Sequence, residues 1–104
     1  MPIKSKNYAG EAMTLVLEDD GQPVEAGMIL TSGRGERYRV TGGRAPHKPG
    51  STGKVWCQGV DQAGDNSTIE FYPGVVKAMW MTDAALAAIQ AEIDKANEDD
   101  AMPR

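Results

Sequence analysis

The window 27–81 is filled with short β-patterned runs, each broken within a few residues by glycine or proline, and this punctuation leaves no room there for a long helix. It predicts a mainly β fold, a small antiparallel barrel. Met28-Ile29-Leu30-Thr31 ends at Ser32-Gly33-Arg34-Gly35-Glu36. Residues 37–41 then alternate, with Tyr38 and Val40 on one side and Arg37, Arg39 and Thr41 on the other. A small core accepts one side, and the apolar pair is expected to take it, turning both arginines outward. Residues 42–53 form a glycine- and proline-rich connection longer than a usual hairpin turn. Strands follow at 54–60 and 67–72, joined by a turn at 61–66, and Pro73-Gly74 leads into a last strand at 75–81.

The flanks differ. Residues 1–11 are predicted to be loosely held, while Met13, Leu15 and Leu17 alternate with Thr14, Val16 and Glu18, a strand with one buried side. At Thr82 the period changes to that of a helix, 82–97, capped by Thr82 or Asp83 and carrying a stripe of Leu86, Ile89 and Ile93. Residues 98–104 are expected to fray as an acidic tail. Five short strands broken near Pro73 predict an SH3-like barrel over 12–81, with an added N-terminal strand and a C-terminal helix.

A chain of 104 residues holds one modest core, which argues against a large substrate cavity. Cys57 is the only cysteine, so no intrachain disulfide and no Cys/His zinc site are expected, and a reducing cytoplasm is the expected compartment. The N-terminus lacks an apolar signal region, and no run is long enough to span a bilayer. Asn66-Ser67-Thr68 reads as a turn entering a strand rather than a glycosylation site.

The net charge of −4 conceals segregation. Residues 28–54 carry six basic side chains (Arg34, Arg37, Arg39, Arg44, Lys48, Lys54) against Glu36, whereas 9–26 hold five acids and no base. If Val55, Cys57, Ile69 and Phe71 fill the core, strand alternation turns Lys54, Trp56 and Tyr72 outward beside Arg37 and Arg39. That face would be an aromatic and cationic platform suited to a protein partner or to single-stranded nucleic acid. Two plainer arrangements stay open: the helix stripe covers Trp56 and Tyr72, or the arginines pair with acids of the same molecule.

His47, the only histidine, sits in a polar loop beside Lys48, with no acid or second ligand near it in sequence. Gly50-Ser51-Thr52-Gly53-Lys54-Val55 echoes a P-loop but lacks its first glycine and its Ser/Thr, and a strand follows where a helix should begin. Gly33-Arg34-Gly35-Glu36-Arg37-Tyr38 lacks the third glycine of a dinucleotide fingerprint. No cofactor is expected; the loop amides with Lys48 and Ser51 could hold at most one anion.

Arg34-Gly35-Glu36, then Arg44-Ala45-Pro46-His47-Lys48-Pro49-x-Ser51-Thr52-Gly53-Lys54-Val55, then Phe71-Tyr72-Pro73-Gly74-Val75-Val76 and Trp80, resembles a group of short proteins encoded by bacteriophages, prophages and plasmids. The resemblance spans residues 27–81. It implies a mobile-element context and carries over no functional residues. The expectation is a non-enzymatic, host-directed binding module that engages a protein partner through Arg34, Arg37, Arg39, Arg44, His47, Lys48, Lys54, Trp56 and Tyr72. Single-stranded nucleic-acid binding and a virion structural role are the alternatives, and the helix offers a contact for a homodimer.

Overall fold

The computed structural model describes residues 1–60 and 67–101; the expected turn at 61–66 and the end of the expected acidic tail, 102–104, lie outside the described residues. Seven strands are ordered β1 (Lys4–Lys6), β2 (Ala12–Leu17), β3 (Ile29–Thr31), β4 (Arg37–Arg44), β5 (Lys54–Gly59), β6 (Ile69–Phe71) and β7 (Ala78–Thr82), followed by helix α1 (Asp83–Ala101). They form two antiparallel sheets, β1-β2-β7 and β3-β4-β5-β6. Both contribute to one core, in which Met13, Leu15, Ala78 and Trp80 of the first sheet meet Leu30, Tyr38, Val40, Val55 and Cys57 of the second. The expected mainly β class is therefore observed as two sheets over a shared core, with no closed barrel among the described residues.

Period-two patterning sets the second sheet. Tyr38, Val40, Val55 and Cys57 are buried and their strand neighbours face out, as alternation requires. Tyr38 and Phe71 meet edge to face, with ring centroids 4.9 Å apart. A bulge between Val40 and Gly42 makes Thr41 the extra residue of β4, so Gly42 pairs with Trp56 and Arg44 with Lys54. The Thr41 hydroxyl donates to the Trp56 carbonyl at 3.1 Å and fixes the bulge.

The first sheet corrects two expectations. Residues 1–11 supply β1, with Lys4 opposite Thr14, and Ile3 enters the core because its amide bonds the Val24 carbonyl at 3.0 Å. β2 is covered on both sides rather than one: Leu15 and Val16 are both fully buried, and Thr14 nearly so. The 18–28 connection turns at Asp20-Gly21 and pairs with the edge of β2, bridging Pro23 back onto Val16. The Asp20 carboxylate accepts the Gln22 amide at 3.0 Å in that turn.

The last strand is entered through a 3₁₀ turn, Pro73–Val76, in place of the continuous strand expected from residue 75. At its far end Thr82 caps α1 by accepting the Ala85 amide at 3.1 Å. Asp83 accepts the Thr14 hydroxyl at 2.7 Å and the Lys4 ammonium at 3.0 Å, which fastens the root of the helix to β1 and β2. Beyond that root the helix leaves the sheets. It runs through Ala101, past the expected end at 97, and from Ala87 to Ala96 every side chain is exposed. The molecule is accordingly elongated, 60 × 32 × 23 Å. Among the described residues no helix is long and apolar enough to cross a membrane.

The Thr14 hydroxyl and then Lys4 hold the Asp83 carboxyl below its ordinary value. A folded-state value depressed below the unfolded one contributes stability above the unfolded value and loses it as pH falls through the folded one. Asp83→Asn should therefore lower the thermal midpoint at neutral pH and flatten the acid limb of a midpoint-against-pH curve. Parallel curves for the two proteins below the ordinary carboxylate range would remove this account of the helix root.

Candidate functional site

Trp80 organises the end of the molecule that carries the long loop. Its indole is buried, donates Nε1–H to the Lys54 carbonyl at 3.2 Å, and lies where β4 runs out and β5 begins. A Cβ at Gly43 would stand 2.9 Å from the indole Cζ2, and one at Gly53 2.7 Å from Cδ1 and 2.6 Å from the Arg44 carbonyl oxygen. Gly53 also has φ +79°, a left-handed conformation that side chains resist. Only glycine fits both sides of this ring. The loop between these glycines is tied down further by the Tyr8 amide, which donates to the Pro46 carbonyl at 3.0 Å, and by the Ser51 hydroxyl, which accepts the Gly53 amide at 3.2 Å.

Between this loop and the 3₁₀ turn opens a groove of about 850 Å³. Pro46, Pro73, Met79 and the edge of Trp80 give it an apolar floor; Lys48 and Lys54 give it a cationic wall beside His47, and Glu18 lies at its margin. Tyr72 stands at the rim, 62% exposed. The Lys54 ammonium sits 3.7 Å from the centroid of the Tyr72 ring, so a cation and an aromatic surface are presented together.

Lys54 and Tyr72 also border the outer face of the second sheet. There Arg37, Arg39 and Arg44 are exposed on β4, and Trp56 is half-buried on β5. Trp56 lies against Gly42, where a Cβ would come within 3.1 Å of its Cε3, and donates Nε1–H to Glu70 Oε2 at 3.1 Å. Glu70 Oε1 is 4.0 Å from the Lys54 ammonium, a loose and largely solvated pair. The two tryptophans thus occupy successive glycines of β4 from opposite sides, Trp56 outside at Gly42 and Trp80 inside at Gly43.

Of the residues singled out from sequence, Arg37, Arg39, Arg44, Lys54, Trp56 and Tyr72 do share one face, and His47 and Lys48 join Lys54 and Tyr72 in the groove. Arg34 does not belong to either. It stands on the β3–β4 turn beside a separate hollow of about 540 Å³ with Tyr38 and Phe71. Burial, and then the neighbouring Glu36, push the Tyr38 hydroxyl above its ordinary value, so it stays protonated there. The helix side chains from Ala87 to Ala96 are exposed and Tyr72 is open to solvent, so this stretch of the helix covers neither Trp56 nor Tyr72.

Sequence reasoning missed Glu70, Trp80 and the prolines of the floor. Glu70 was legible: it alternates onto the same side as Tyr72. Trp80 lacked a signal, because its importance depends on glycines 27 and 37 positions earlier in the chain. Cys57 is buried and its thiol is pushed up to about 11 by desolvation, which removes it as a nucleophile. Comparison with protein-family models, curated proteins and solved structures finds no match.

Gly53→Ala combines a strained backbone with a Cβ against both Trp80 and the Arg44 carbonyl, and should cost about 2–4 kcal/mol in a denaturant titration. Gly50→Ala, at φ +85° with open space around it, should cost only about 1 kcal/mol. Equal losses would show that the indole does not depend on residue 53.

Proposed function

We propose that the chain is a non-enzymatic binding module that takes an extended, acidic segment of a partner protein into the groove between the 45–53 loop and the 3₁₀ turn. The observation that carries this reading is the union of an apolar floor, Pro46, Pro73, Met79 and Trp80, with the cations Lys48 and Lys54 and the imidazole of His47 in one channel. Apolar contact there supplies affinity while the cations select acidic side chains. Tyr72 is the natural anchor: large, exposed, and already paired with Lys54, it has the composition of an interface hot spot.

The architecture supports an SH3-like reading of the fold. A 3₁₀ turn precedes β7, which returns to pair with β2, while β3, β4, β5 and β6 make the facing sheet. The likeness of residues 27–81 to phage- and plasmid-encoded proteins supports a host protein as the partner, engaged by a cytoplasmic regulator or inhibitor, with a virion structural role as the alternative. Single-stranded nucleic acid draws on the arginines around Trp56, but the Glu70 carboxylate bonded to that indole stands in the path of a phosphate chain and disfavours it.

Panning a library of short random peptides on the immobilised protein tests the groove. Enriched peptides should combine acidic with proline or aliphatic residues, and Tyr72→Ala or Lys54→Glu should weaken each by about 2 kcal/mol. Peptides retained equally by both variants would exclude the groove as the site.

A further inference from the structure

Helix α1 and the outer face of the second sheet are each incomplete in a way the other would satisfy. The helix carries an apolar stripe with no cover: Ile89 is 44% and Ile93 48% exposed. Its sequence holds six acids against Lys95. Among the described residues the sheet face holds Arg39, Arg44 and Lys54 against Glu70, with Ile29 and Trp56 as its apolar patches. An apolar stripe in water ordinarily finds a surface, and a helix of this length gains little by standing alone.

The same molecule does not supply that surface. The Thr14–Asp83–Lys4 bonds and the Thr82 cap fix the root of α1 on the first sheet, the helix packs chiefly on β7 and β2, and its side chains from Ala87 to Ala96 are exposed. Nor does a second helix suit it. Pairing two copies of α1 would set the acids of one against the acids of the other, which is repulsive.

We infer that the protein is a reciprocal dimer in which α1 of each copy lies across the basic β4–β5 face of the other. Opposite charges and apolar patches then meet in both contacts, related by a two-fold axis. The lengths agree. A helix of 19 residues extends about 28 Å and a strand of eight about 26 Å. With a helix about 10 Å across, each contact covers roughly 280 Å² on either partner, so two contacts bury roughly 1,100 Å² in total, above the roughly 1,000 Å² that a specific interface clears. The inference concerns the sheet face and stands whether or not the groove takes a peptide.

Sedimentation of the full chain tests it directly. The wild type should be dimeric at low salt and dissociate as salt screens the contact. Glu92→Lys with Asp94→Lys, or Arg39→Glu with Arg44→Glu, should each raise the dimer dissociation constant by at least about tenfold, since each sets like charges face to face. Mixed together, the two variants should form a heterodimer, because the reversed helix meets the reversed face and the native helix meets the native face. All four positions are exposed, so unchanged cooperative melting confirms that the variants fold. A wild type that stays monomeric, a dimer that survives both reversals, or a mixture that stays monomeric overturns the inference. So does a monomer whose Arg39 and Arg44 capture a labelled single strand.

Discussion

The end of the molecule that holds the groove depends on one aromatic ring and the two glycines that admit it. Trp80 could be reached only by a strand that stops presenting side chains at Gly43 and resumes after Gly53, so the position of the long loop follows from the volume of an indole. Its Nε1–H on the Lys54 carbonyl satisfies the one polar atom that burial would otherwise strand. Floor and wall of the groove are thereby made from the same piece of packing: the ring supplies the floor and, through Gly53 and Lys54, fixes the start of the wall.

Much of the second sheet was legible in the sequence, because Arg37 to Thr41 and Lys54 to Gln58 alternate cleanly and a period of two has one reading against a core. The bulge at Thr41 was not, since it preserves alternation on either side and only pairing with β5 reveals the extra residue. β2 was misread as one-sided for a related reason. Thr14 looks like part of an outer face until the helix root meets it through Asp83, a contact made 69 residues away in the chain. Ile3 shows the limit of composition: one apolar side chain among polar neighbours was enough to anchor β1.

Electrostatics follow the fold more closely than the net charge does. The basic residues of 28–54 fall on a sheet face and a loop, and the acids of 83–100 fall on a helix that projects from the other sheet. Glu70 orients Trp56 and stands near Lys54, and Lys4 answers Asp83. The helix is rooted on β2 and β7, and its side chains from Ala87 to Ala96 are exposed. The platform and the projecting helix are two consequences of one topology.

The loop that walls the groove meets the rest of the molecule through few of its own atoms: the backbone carbonyl of Pro46, the buried methyl of Ala45, and the hydroxyl of Ser51 turned to the Gly53 amide. The side chains of His47, Lys48, Pro49 and Thr52 are exposed, and of these four residues Lys48 takes part through its backbone, its carbonyl accepting the Ser51 amide at 3.2 Å. Natural variation at these four positions can therefore alter what is recognised while leaving folding intact. A lineage under pressure to follow a changing target would accumulate substitutions there first, with the indole and its glycines unchanged beneath them.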